Sequence, residues 1–225
     1  MLSQAEKGGV QNTIQNCVTV LQNDPVLADS IRLNLLSERI DIVKPMGWQR
    51  SGPTLTDTDM MYILRRMEKY GLYSEKRVSA AIRIVANENH YHPIRDYLND
   101  LKWDGTERIS HALHRFLGAA EDELTAEALK IFLLGAIKRV FHPGCKFEMM
   151  LCLVGGQGAG KSSFFRLLAI KDEWFSDDLR RMDDDNVFRK LQGHWIMEMS
   201  EMIATANAKS IEEIKSFLSK QKETY

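Results

Sequence analysis

Cysteine, proline and net charge are all scarce in this chain. The three cysteines, Cys17, Cys145 and Cys152, are an odd number with no CxxC spacing. That argues against a disulfide framework and a zinc site, and suits a reducing compartment. Five prolines and 14 glycines among 225 residues exclude collagen-like and low-complexity chains. With 30 Lys and Arg against 31 Asp and Glu the net charge is −1, so no global basic field draws the chain to nucleic acid. Neither side of residue 147 forms a basic arm. No apolar run reaches the length of a membrane span and no apolar signal segment opens the chain, so the expectation is a cytoplasmic protein with no membrane partner. The remainder, 44% hydrophobic and 27% charged, is an ordinary globular composition, long enough for one or two cores.

Periodicity divides the chain into a helical part and a later part with strand character. Past a loose lead-in with Gly8-Gly9, Ile14, Val18 and Leu21 recur at helical spacing over 12–22. Residues 31–43 alternate around Ser37-Glu38 and predict a hairpin. The stretch 44–56, with Pro45, Gly47, Gly52 and Pro53, reads as a loop. Thr56 and Asp59 form a capping-box variant opening a helix that runs to about Tyr70 and stops at Gly71. Ser74 is the expected cap of the next helix, with Val78, Ile82 and Val85 on one face. His92-Pro93 breaks the chain before a short helix over 94–101, and Trp103-Asp104-Gly105 turns it into a helix over 108–117. The longest helix, 123–141, is expected to bury Leu129, Phe132, Leu133, Ala136, Ile137 and Val140.

After Gly144 the run 147–154 is almost continuously apolar, as in a parallel strand covered on both faces. A helix from about Gly160, a second apolar strand over 194–199 and helices over 200–206 and 210–220 follow. Strand, helix, strand and helix in that order predict an α/β fold. The expected organisation is an N-terminal helix and hairpin region over 1–56, a helical linker domain over 57–146 and a P-loop core over 147–225.

The chemistry concentrates at Gly155-Gly156-Gln157-Gly158-Ala159-Gly160-Lys161-Ser162, a GxxxxGK(S/T) match between an apolar strand and an amphipathic helix. Glycines let successive backbone N–H groups turn inward onto phosphates, and the following helix adds the partial positive charge of its N-terminus. Lys161 reaches the β- and γ-phosphates of ATP, the Ser162 hydroxyl ligates Mg²⁺, and Ser163 extends the cradle. Such a site also needs a carboxylate at the end of a neighbouring strand, and Glu198 and Glu201 both qualify. Ligands of open α/β sheets sit beyond the carboxyl ends of the strands, which favours Glu201 for orienting the attacking water and leaves Glu198 to hold Mg²⁺ through water. The opposite assignment stays open.

The strings LVGGQGAGKSSFFRLLA, WFSDDL, LQGHWIMEMSEM and IKSFLSKQKETY resemble the virulence-associated protein E family, as do the upstream words HPIRDYL, LKWDGTERI and FHPGCKFEMMLCL. The resemblance covers about residues 12–225. It implies a P-loop ATPase related to superfamily III helicases within the AAA+ group, encoded by phages and mobile elements. The implied activity is ATP hydrolysis coupled to movement on DNA during replication. Single-stranded DNA, a primase and identical subunits of a hexameric ring are the implied partners. It places Lys161 and Ser162 on nucleotide and metal, Glu198 and Glu201 in the acidic motif, and gives Asp177 and Asp178 no defined role. Related ATPases continue into a strand with a sensor Asn and an arginine-rich segment, so the expectation is a core incomplete at its C-terminus. The alternative is a nucleotide-binding or interaction module without useful turnover. A small-molecule kinase would carry its P-loop near the N-terminus, and a GTPase would carry Asn-Lys-x-Asp; neither feature is present.

Other clusters have plainer readings. His90 and His92 lack a third ligand and read as a helix-end turn. His111 and His114 share a helix face with no evident carboxylate. Asp183, Asp184 and Asp185 read as a solvated run that caps a helix. Arg65, Arg66 and Lys69, with Tyr62 and Tyr70, read as a solvated helix face rather than a DNA contact. Trp195 and Met149, Met150, Met197, Met199 and Met202 read as core or interface packing.

Overall fold

The computed structural model describes residues 2–4, 8–179 and 190–199. The chain divides into two compact units, Met1–Pro93 and Ile94–Tyr225.

In the first unit, Thr13 caps helix α1 (Ile14–Asn23) by accepting the N–H of Asn16. Strands β1 (Ile31–Asn34) and β2 (Arg39–Ile42) pair antiparallel, Ile31 opposite Ile42, across the expected turn. Tyr91 adds to the other edge of β1: its N–H donates to Leu33 and its carbonyl accepts from Leu35, both at 2.9 Å. Tyr91 is therefore an isolated bridge position beside β1. The Tyr91 hydroxyl also donates to buried Asp41 at 2.7 Å.

Helix α2 (Asp57–Met67) opens on the predicted capping box, Thr56 and Asp59 each bonding the other's backbone. A turn of 3-10 helix, Glu68–Tyr70, leads to Gly71, whose φ of 74° is the left-handed conformation that glycine tolerates best. Helix α3 (Glu75–Glu88) starts after Ser74, but the Ser74 side chain makes no capping bond. Leu21, Leu27, Ile63, Met67, Leu72, Val78 and Ile82 are fully buried together. Truncating any of them to alanine should cost about 2–5 kcal/mol.

Two more buried carboxylates, besides Asp41, organise this unit. Asp59 accepts from Trp48 Nε1 and Arg50 Nε, both at 2.8 Å, and from Thr56. Asp24, at the end of α1, accepts from Arg66 Nε and, at 2.7 Å, from the Tyr70 hydroxyl. Arg66 and Tyr70, expected on a solvated face, thus point inward; Arg65 lies over the Tyr62 ring, 5.3 Å from its centre.

The second unit begins with helix α4 (Pro93–Asp100), whose first residue belongs to the preceding unit, then α5 (Ile109–Leu117) and α6 (Glu123–Phe141). The carboxylate of Asp122 caps α6 on the N–H of Thr125. Leu113 and Leu129 are the buried centre of the α5–α6 pair. Along α6, Leu129, Gly135 and Val140 are buried while Ile137, expected in the stripe, is 37% exposed.

Among the described residues, 145–156 form no strand, in contrast to the strand expected over 147–154. A strand exists by its ladder partners, and here the apolar side chains find helices instead. Leu151 and Leu153 pack on the cluster of Leu113, Leu129 and Phe164, while Val154 is 79% exposed. Helix α7 (Lys161–Leu168) follows. Strands β3 (Phe175–Ser176) and β4 (Ile196–Met197) then pair parallel, so the strand expected over 194–199 is two residues long. Trp195 leads into β4 half-buried, its indole N–H donating to the Ala136 carbonyl at 3.2 Å and its ring edge-on to buried Trp174. The expected helices over 200–206 and 210–220, the run Asp183 to Asp185 and Met202 lie outside the described residues.

Candidate functional site

The glycine-rich segment emerges where Leu151 and Leu153 anchor the chain to the α5–α6 pair. Gly155, Gly156, Gln157, Gly158, Ala159 and Gly160 are exposed and form a turn directly before α7. Gly158 (φ 77°) and Gly160 (φ 80°) occupy the left-handed region, so the glycines at these positions are required by backbone shape. Gly160 is the N-cap of α7 and brings no capping side chain to the first N–H groups of that helix.

Lys161 curls back over the loop, its ammonium donating to the carbonyls of Gly155 at 2.9 Å and Gly156 at 2.7 Å. Ser162 points the other way, its hydroxyl donating to Glu198 Oε1 at 2.7 Å. Ser163 is exposed on the first turn of α7. Glu198 follows β4 directly, and its backbone N–H donates to Ser176 at 2.8 Å, extending the β3–β4 ladder by one bond. The ladder thus fixes the carboxylate that meets the loop. Oε2 of Glu198 is buried and has no hydrogen-bond partner among the described residues. A buried carboxylate oxygen left without a donor is costly unless a cation or water completes it.

Of the two acidic candidates, the structure brings Glu198 to the loop; Glu201 lies outside the described residues. Asp177 and Asp178 follow β3, the strand beside Glu198, and Asp178 lies 3.7 Å from the Lys190 ammonium. Arg166, on α7, makes a two-pronged contact with Asp172 at 2.8 Å. Hydrogen bonding to Arg166 lowers the Asp172 carboxyl, and the same contact raises the guanidinium.

Sequence spacing does not disclose the neighbours of the loop. The last turn of α5 flanks it: a Cβ built on Gly160 would lie 3.8 Å from Leu117 Cδ2, and the Phe116 ring leans on Phe164 with centres 6.5 Å apart. Nor does it disclose the partner of the α5 histidines, Glu121, whose Oε1 lies 3.1 Å from His111 Nδ1. Gly118 and Ala119 fold that turn back, so a carboxylate ten residues downstream meets the helix face. Among the described residues no group of three or more His, Cys, Asp or Glu side chains is arranged to hold a metal, and no helix is long and apolar enough to cross a membrane.

A family model described as the virulence-associated protein E-like domain matches residues 98–225, a span that takes in α5, α6, the glycine-rich loop and the β3–β4 pair. No curated protein matches the chain.

Proposed function

The chain belongs to the virulence-associated protein E-like family, and on that premise we propose that it binds ATP with Mg²⁺ at the loop over 155–163 and hydrolyses it to drive movement on DNA. The observation that carries this reading is the hydrogen bond from Ser162 to Glu198. Two motifs 36 residues apart, one suited to phosphate and one to metal, meet at 2.7 Å.

The residues fit a divalent cation of the magnesium type. Such an ion takes one or two protein oxygens and fills its remaining positions with phosphate and water, so a cluster of three protein ligands is not needed. Ser162 would hold it directly and Glu198 through water, and the orphaned Oε2 gives that water an acceptor. Bound there, the ion would neutralise charge on the phosphate oxygens.

The protein's own groups carry the rest. The backbone N–H groups of 156–161 and the start of α7 favour an anion. Lys161 exchanges its two carbonyl acceptors for phosphate oxygens, a stronger charge-assisted pairing. Glu201 remains the candidate for orienting water, with Glu198 as the alternative. In the wider reading the chain is a replication motor of a phage or mobile element, working on single-stranded DNA as a hexameric ring beside a primase.

The test is ATP binding and DNA-stimulated ATPase activity of the full chain with Mg²⁺, and of Lys161→Ala. Activity that DNA raises and Lys161→Ala abolishes, with larger oligomers on sizing in MgATP, is the expected result. Nucleotide binding weakened by Lys161→Ala but with no turnover would convert the reading to a nucleotide-holding module. No binding at all would remove it.

A further inference from the structure

We propose that the last turn of α5 is the nucleobase platform of this loop, with the Phe116 ring stacking the base of the nucleotide whose phosphates residues 155–162 hold. This rests on the nucleotide reading above.

A nucleotide held by its phosphates at the start of a helix must lay its base on one flank of the loop, a ribose's length beyond the phosphates. The α5 flank is within that reach. Leu117 is in van der Waals range of the Gly160 Cβ position, and Phe116 touches Phe164, one turn into α7. Phe164 is buried with Leu113 and Leu129, so the underside of Phe116 rests on packed core. Phe116 itself reaches solvent: it is 65% exposed, whereas Phe164 is 7% exposed. The Arg115 guanidinium lies over the Phe116 ring, 5.6 Å from its centre, so a planar cation that itself stacks on π-faces shares this surface with the base.

The turn is also fixed in place. Gly118 closes α5 in the left-handed conformation, its N–H bonding the His114 carbonyl, and the Ala119 N–H bonds the Leu113 carbonyl. The His114 ring nitrogen adds a bond to the Ala119 carbonyl at 2.8 Å. A platform built this way loses little freedom when a base settles on it. Stacking carries no hydrogen-bond pattern, so this surface recognises the presence of a base more than its identity.

The experiment is calorimetric titration of the full chain with ADP and, separately, with pyrophosphate, both with Mg²⁺, for wild type, Phe116→Ala, Phe116→Trp and Lys161→Ala. Phe116→Ala should weaken ADP about 10-fold and leave pyrophosphate unchanged, Phe116→Trp should restore ADP binding, and Lys161→Ala should weaken both probes. If Phe116→Ala binds ADP like wild type, or loses ADP and pyrophosphate in parallel, the platform is refuted while the nucleotide reading stands. If wild type binds neither probe, that reading fails and the platform with it.

Discussion

The Phe147 ring lies where Gly135, midway along α6, would carry a Cβ: a side-chain carbon built there would overlap the ring. The segment leading to the glycine-rich loop is therefore seated on the backbone of α6. Glycine inside a helix costs about 1 kcal/mol relative to alanine, so the close approach is made at the expense of helix propensity. Gly135→Ala, which improves propensity, should still destabilise the second unit by about 1–3 kcal/mol through overpacking. Urea titration followed by circular dichroism reads this directly, and a gain in stability would contradict the packing argument.

Glu198 is expected to act through the metal rather than through the fold. Glu198→Gln keeps the shape and the Ser162 contact but removes the charge. It should leave metal-free nucleotide binding near wild type and weaken Mg²⁺ affinity about 10–100-fold. Titrating Mg²⁺ at fixed nucleotide separates the two; an equal loss with and without metal would assign Glu198 a structural role only.

Acid should loosen the first unit through Asp59 and Asp24. Burial pushes each carboxyl up, but it is outweighed. Arg50, Trp48 and Thr56 hold Asp59 well below the usual carboxylate range, and Arg66, Tyr70 and two backbone N–H groups lower Asp24. A carboxyl lowered in the folded state stabilises fully above its unfolded value of about 3.9. That contribution is lost as pH falls through the folded value. Stability should therefore be flat above about pH 5 and decline below about pH 4. Asp59→Asn should lower the plateau by about 3–5 kcal/mol, since it strands Arg50, and make the acid decline shallower. Urea midpoints across this range would show either pattern, and an unchanged acid slope in the variant would rule Asp59 out.

Ile170 ends α7 at φ 69°, a conformation that a β-branched side chain adopts only with strain, and its side chain is half exposed. Ile170→Gly should relieve about 1 kcal/mol. A thermal melt would show a small rise, and a marked fall would mean that the Ile170 side chain contributes packing that outweighs the strain.

The features legible from sequence were those settled within one turn of chain. Thr56 and Asp59, Ser37-Glu38 and Gly71 each fix their local geometry with neighbours at most three or four residues away, and each appears where its pattern puts it. Both halves of the candidate site were visible as motifs, since glycine spacing and an acidic strand end are local signals. Their meeting at Ser162 and Glu198 is tertiary. The run 147–154 read as a strand because apolar length cannot distinguish a ladder from a segment laid on helices. Glu121 is not legible from spacing because a turn, rather than helical periodicity, brings it to His111. Arg66 and Tyr70 looked solvated because nothing near them in sequence announces Asp24.

The Asp24 contacts tie positions 42 and 46 residues apart, through Arg66 and Tyr70, to one carboxylate that also accepts from the N–H groups of Val26 and Leu27. A covalent bridge across a loop of that size would restrict the unfolded chain by about 4 kcal/mol. Here the tie forms only on folding and constrains the native state alone, so an unfolded chain stays free to search. It does the work of a staple in a unit whose single cysteine, Cys17, is buried and unpaired, and its strength is indifferent to the redox state of the surroundings.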